Sequence, residues 1–247
     1  MKKTLYAFGD SNTDPNFFSK TEKNYDCSFP KWPELVAAKL DMNCQNLGHY
    51  GKCNYYIIHK FLDTISNKDD IGAVMFLFTS PLRHPMAIET IKPQLRFPKP
   101  GKQVSCKDRI NVLVHEFFET YLEECIDESI KNFSEQIKYV EFLCLKLNIP
   151  YVMAQGFSFA GSADEFTGKD KESLCRASWV KHFTEAEIEE EKCIGWPWDE
   201  KLGGYTLADK FAKKGRFTIS ARDPHPNAQG HELIAEQFSS RYLDLYK

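Results

Sequence analysis

The chain has 247 residues, of which 42% are hydrophobic and 14% aromatic, and a formal net charge of −3 at pH 7. That is ample apolar material for a core and too much for a disordered polymer, and the mild acidity argues against non-specific nucleic-acid binding. The longest apolar run, near residues 73–78, is far too short to cross a bilayer, so neither nucleic acid nor membrane is an expected partner.

Two lysines at the N-terminus are followed by Gly9, Asp10, Asn12 and Asp14 before any apolar signal core, and the expected location is therefore cytoplasmic. The eight cysteines, at 27, 44, 53, 106, 125, 144, 175 and 193, contain no C-x-x-C pair and read as reduced thiols. His49, His59, His84, His115 and His182 lack metal-ligand spacing, so no metal or organic cofactor is expected.

In chain order, Thr4 to Phe8 is a short apolar strand ending at Gly9. Residues 29–40 carry Trp32, Leu35, Val36 and Leu40 at helical spacing, with prolines near the start where a helix tolerates them. Residues 43–47 read as a second strand, followed by the loop Gly48-His-Tyr-Gly51 and a helix over 54–65. The nearly continuous apolar run 72–78 is the pattern of a parallel strand buried on both faces.

Residues 84–106, with prolines at 85, 93, 98 and 100, read as a long loop. Residues 107–147 read as helical, as two helices meeting near Asp127, and 151–154 as a fourth strand. Residues 157–204 read as an insertion near the site, in which the run Glu185 to Glu191 is a solvated helix face. Trp196, Trp198 and Tyr205 either line a sugar or acyl pocket or belong to the core. Residues 217–219 read as the last strand and 228–246 as the closing helix. Strands alternating with helices at this density predict one domain over 1–247, with a parallel sheet covered by helices on both faces.

Three side chains carry the chemistry. Ser11 follows the first strand, on the rim where α/β sheets bind ligands. Its hydroxyl needs a base to become a nucleophile; His225, in a proline-flanked segment before the last helix, can supply it. Asp223 can accept the other imidazole N–H and fix the tautomer, with Asn227 as the helix N-cap holding the segment in place. His231 reads as structural. Alone, a Gly-Asp-Ser turn is an ordinary turn and Asp-Pro-His-Pro a stiff loop; their joint occurrence points to acyl transfer.

These segments, together with Asn46-x-Gly48-x-x-Gly51 and the Gly230-His231 pair, resemble the sequence blocks of the GDSL or SGNH hydrolases. The resemblance implies a three-layer α/β/α sandwich with a flavodoxin-like parallel sheet, and a serine esterase acting on small acyl esters, O-acetyl groups of carbohydrates among them. It implies Ser11, His225 and Asp223 as the triad, and the N–H groups of Ser11 and Gly51 as the oxyanion hole, with Gly48 as the fallback. The sequence departs from the family twice. Pro81 stands where the family has a hydrogen-bonding asparagine, leaving Thr79, Ser80 or Arg83 as a third donor or substrate contact. Asp223 is two residues before His225, where the family commonly has three. The alternatives are a weakened relative that binds a glycan or partner, and an acyltransferase using the same acyl-enzyme.

Overall fold

The computed structural model describes residues 2–83, 121–157, 170–184, 187–212 and 216–247. Five parallel strands form its main sheet: β1 (Thr4–Gly9), β2 (Asn43–Asn46), β3 (Ile71–Phe78), β4 (Tyr151–Gln155) and β5 (Cys193–Ile194). Their order is β2-β1-β3-β4-β5, the flavodoxin-type order, in which the connection reverses direction between β1 and β3. Ligand sites in such sheets form beyond the carboxyl ends of the strands at that reversal.

The apolar runs divide by the two-residue period of a strand. Tyr6, Phe8, Val74, Phe76, Phe78, Tyr151 and Met153 face one side, against α2 (Asn54–Ile65), α3 (Leu122–Lys146) and α4 (Asp170–Thr184). Leu5, Ala7, Ala73, Met75, Leu77, Val152 and Ala154 face the other. There they meet α1 (Trp32–Lys39), the short α5 (Leu207–Ala212) and the C-terminal α6 (Ala228–Tyr246). Trp32 of α1 stacks on Phe238 of α6 with ring centroids 4.4 Å apart. The result is the expected three-layer α/β/α architecture, with β1 buried throughout and β3 buried from Ala73 onward.

Several expectations change. α3 runs unbroken through Asp127. That carboxylate faces α4 and accepts hydrogen bonds from Ser178 and Lys181 at 2.7 and 2.8 Å, with His182 Nε2 at 2.9 Å. A polar residue that resembles a helix break is here a tie between two helices. The stretch 157–204 supplies α4 and the edge strand β5, both integral to the layers. Trp179 and Trp198 are fully buried and belong to the core, and the half-buried Trp196 and Tyr205 pack against it. The described part of the acidic run, 187–191, is not a helix face: Ile188 is buried, Glu189 accepts from the Tyr151 hydroxyl, and residues 190–192 form one 3-10 turn.

The last strand also differs. β6 (Thr218–Ser220) does not join the main sheet but pairs antiparallel with β7 (Asp223–Pro226), a separate two-stranded ribbon. The expected loop at 84–106 lies outside the described residues, as do His84, His115, Cys106 and residues 107–120. The described cysteines are free thiols. No described helix is long and apolar enough to cross a membrane.

Candidate active site

Past the end of β1 the chain turns on Asp10. Its backbone carbonyl accepts the N–H groups of Thr13 and Asp14 at 2.9 and 3.0 Å, and its carboxylate Oδ1 accepts the Asn12 N–H at 3.0 Å. This is the Asx-type geometry that short acidic side chains favour, and it presents Ser11 at the sheet's carboxyl rim. Trp32 donates its indole N–H to the Thr13 hydroxyl at 3.2 Å, which ties the far side of the turn to α1.

The ribbon brings the other two predicted residues to Ser11. His225 Nε2 lies 2.9 Å from the Ser11 hydroxyl oxygen, and His225 Nδ1 lies 2.6 Å from Asp223 Oδ1. The short Asp-x-His spacing works because both residues are on β7. Side chains two apart on a strand share a face, so the carboxylate and the ring stand side by side without a longer loop. The same Oδ1 accepts the backbone N–H of His225 at 3.2 Å. Asn227 caps α6, its side-chain oxygen accepting the Gly230 N–H at 3.0 Å, and its amide donates to the carbonyls of Arg216 and Thr218 at 2.7 and 2.9 Å. The cap thus anchors the ribbon as well as the helix.

Burial sets the electrostatics. Asp223 is 4% exposed, which alone would push its carboxyl pKa up. Hydrogen bonds from Ser19 and His225 outweigh that cost and hold it below the ordinary carboxylate value, so it is ionised at neutral pH. His225 packs against a pair of aromatic rings, with the Phe17 centroid 4.4 Å and the Tyr50 centroid 6.5 Å away and 6.1 Å from each other. His231 sits behind the site, buried, its Nδ1 accepting the Trp32 backbone N–H at 3.2 Å. Burial and the neighbouring positive charge of Lys31 bring its pKa down to about 3, so it stays neutral and structural.

The loop after β2 separates the two glycines. Gly48 donates its N–H to the Asn46 side chain at 3.1 Å, and an added Cβ there would lie 2.6 Å from the Thr13 carbonyl carbon. Gly48 therefore serves close packing, with its donor already engaged. Gly51 has φ +74°, nothing within 4 Å of a Cβ position, and an N–H with no acceptor among the described residues. The N–H of Ser11 is likewise without an acceptor among the described residues. Tyr50, just before Gly51, is held by its own N–H to Asp14 Oδ2 at 2.8 Å.

The three candidates after β3 separate sharply. Thr79 is wholly buried; its N–H and carbonyl are clamped by the Asn54 amide at 2.9 Å each, and its carbonyl also accepts from Gln155 at 2.8 Å. Its hydroxyl is sealed off from any ligand on the rim. The Ser80 oxygen accepts the Leu82 N–H at 3.3 Å. Arg83 extends back toward the nucleophile turn. Its Nη1 donates to Asp10 Oδ2 at 2.9 Å and to the Lys52 carbonyl at 3.3 Å, joining the residue before Ser11 to the residue after Gly51.

Sequence reasoning missed Phe17, Ser19, Asn54 and Tyr50. The segment 15–31 has no periodicity to place its side chains, and Asn54 offered only the signal of a helix start. Among the described residues no group of three His, Cys, Asp or Glu side chains could hold a metal ion.

No protein-family model matches the chain, and no curated protein matches it by sequence. Among solved structures, the chain is similar to the psychrotrophic esterase EstA from Pseudoalteromonas sp., at 11% identity over 98% of both chains with a TM-score of 0.48. It is similar to a member of the lipolytic protein G-D-S-L family from Veillonella parvula DSM 2008, at 15% identity over 99% of this chain and 98% of that one, TM-score 0.42. A third likeness is to AlinE4, an SGNH-hydrolase family esterase, at 12% identity over 100% of this chain and 98% of that one, TM-score 0.43.

Proposed function

We propose that the protein is a serine esterase of the SGNH type that hydrolyses small acyl esters. The observation that carries this is the continuous hydrogen-bond chain Ser11–His225–Asp223, assembled from opposite ends of the sequence at the carboxyl rim of the sheet. Ser11 Oγ attacks the ester carbonyl carbon while its proton passes to His225 Nε2. The negative charge that develops on the carbonyl oxygen is received by the N–H groups of Ser11 and Gly51. Protonated His225, stabilised by Asp223, then gives its proton to the departing alkoxide oxygen as the C–O bond breaks. Water enters, loses a proton to His225 and attacks the acyl-enzyme; the acid leaves and Ser11 recovers its proton.

Trp179 and Trp198 are buried in the core and offer no surface for a sugar ring, so the proposed substrate class is a small acyl ester. A binding-only role draws on one observation, that Pro81 cannot donate and the Thr79 hydroxyl is sealed away. It is opposed by a serine, imidazole and carboxylate all within hydrogen-bond reach of one another. Two measurements test the esterase. The Ser11→Ala variant is expected to lose hydrolysis of p-nitrophenyl acetate, and a fluorophosphonate probe is expected to label the parent stoichiometrically at Ser11. Parent-like turnover by Ser11→Ala overturns the mechanism, and a parent that turns over nothing and takes no label is a binding protein.

A further inference from the structure

The two oxygens of the Asp223 carboxylate have different partners. Oδ1 takes the His225 ring N–H and backbone N–H. Oδ2 takes the hydroxyl of Ser19, a buried side chain in the segment between β1 and α1, 204 residues away in sequence. The Ser19 oxygen also accepts the Glu22 backbone N–H at 2.7 Å. A hydroxyl has one proton, and with a backbone donor approaching its lone pair that proton is directed to Asp223.

The rest of the segment is tied to the same place. Asp14 accepts the N–H groups of Asn16 and Tyr50, both at 2.8 Å, and Phe17 lies on the His225 ring. The Glu22 carboxylate accepts from the Ser220 hydroxyl at 2.8 Å and from the Arg222 guanidinium at 3.0 and 3.2 Å, joining the segment to the ribbon. Ser220 in turn accepts the Asp223 N–H at 3.1 Å. The charged groups around the carboxylate are thus His225 on its own strand, Arg222 before it and Glu22 across from it.

We propose that Ser19 is a positioning residue of this site, a fourth member of the chain Ser11–His225–Asp223–Ser19, acting through its hydroxyl on the far oxygen of Asp223. This rests on the triad assignment made above. On a two-residue spacing the backbone sets which face the carboxylate occupies but not the rotation of its plane. A donor on Oδ2 sets that rotation, which leaves Oδ1 aimed at Nδ1 and the imidazole in the tautomer whose Nε2 can accept the serine proton.

The test compares Ser19→Ala, Ser19→Thr and Glu22→Gln on p-nitrophenyl acetate across the acid and neutral range, with Ser11→Ala as the reference for the triad. Losing one hydrogen bond to an ionised carboxylate is expected to lower kcat for Ser19→Ala about tenfold or more, with KM nearly unchanged. The acid limb of its pH profile is expected to move to higher pH, because an ionised carboxylate with one donor fewer holds the protonated form of the base beside it more strongly. Ser19→Thr keeps the hydroxyl and is expected to restore both quantities; Glu22→Gln leaves the Ser19 bond in place and is expected to leave the acid limb where it is. Should Ser19→Ala not fold, Ser19→Cys, a weak donor of similar size, is expected to move the limb the same way. An unmoved acid limb in the Ala or Cys variant, or an equal movement in Glu22→Gln, overturns the proposal. If Ser11→Ala keeps parent activity, the triad assignment itself has failed, whatever Ser19 does.

Discussion

Arg83 offers a quantitative test of how the proposed oxyanion site is held together. The perturbation is Arg83→Met, which keeps much of the stem volume and removes the guanidinium. Breaking a fully buried ion pair typically costs about 3–5 kcal/mol. Here Asp10 is 1% exposed but the Arg83 side chain is 37% exposed, so water can replace part of the lost contact. Asp10 also keeps the Asn12 N–H, so a discounted cost of about 1–2 kcal/mol is expected, or a fall in Tm of about 2–8 °C for a chain of this size. On activity, deleting an oxyanion donor outright costs about 2.7–4 kcal/mol. The Met variant deletes neither backbone donor but unties the turn carrying Ser11 from the loop carrying Gly51, so a fraction of that is expected: about 1.4–2.7 kcal/mol, a ten- to hundredfold loss in kcat. The assay is steady-state hydrolysis of p-nitrophenyl acetate with a parallel melting curve. A kcat within about threefold of the parent refutes the clamp, given how weakly such a change would register as free energy. A loss confined to KM, and only for anionic esters, would make Arg83 a substrate contact instead.

The remaining predictions concern the two glycines and the buried histidine. Gly51→Ala meets no steric obstacle but must hold φ +74°, a strain of about 1–2 kcal/mol, and is expected to lower kcat by displacing the N–H while Tm falls only modestly. Gly48→Ala drives a Cβ into the Thr13 backbone and is expected to lose stability foremost; if the two variants exchange these signatures, Gly48 and not Gly51 supplies the oxyanion donor. His231, at about 3 when folded against an ordinary 6.5, binds its proton only in the unfolded chain between those values. Stability is therefore complete above about pH 6.5 and falls as pH drops toward 3, with a slope approaching about 1.4 kcal/mol per pH unit. The lowered carboxyls of Asp127 and Asp223 add the same sign, but only from the ordinary carboxylate range downward. Urea unfolding as a function of pH checks this: His231→Gln should flatten the upper part of the window, and an unchanged slope refutes the assignment.

The layered fold was legible because its signals are periodic. The runs at 4–8, 72–78 and 151–154 are short and apolar on both faces, as enclosed parallel strands require, and the helices at 54–65 and 228–246 carry their own spacing, the latter with the Asn227 cap. What escaped was set by tertiary partners. Asp127 reads as a break until the Ser178, Lys181 and His182 side chains opposite it are known. Cys193-Ile194 is too short to show any period, yet it completes the sheet. In the candidate site, motif chemistry singles out Ser11 and His225, and Asp223 takes its geometry from a strand that Asp-Pro-His-Pro does not announce. Ser19 and Phe17 lie in an aperiodic segment whose side chains are placed only by what they touch.

The ribbon of β6 and β7 gives His225 and Asp223 a shared mechanical fate. His225 and Asp223 ride on one two-residue lever outside the main sheet, whereas Ser11 is fixed to a central strand. Any rocking of that lever carries the imidazole and carboxylate together and preserves their 2.6 Å contact, so the displacement falls on what they touch outside the ribbon, the 2.9 Å gap to Ser11 and the Ser19 hydroxyl on Asp223. The site thus has one soft coordinate. The ties that set it, Asn227 to the chain entering β6 and Glu22 to Ser220 and Arg222, lie away from the reacting atoms. In the proposed mechanism, reactivity can be graded there without altering a group that touches the ester.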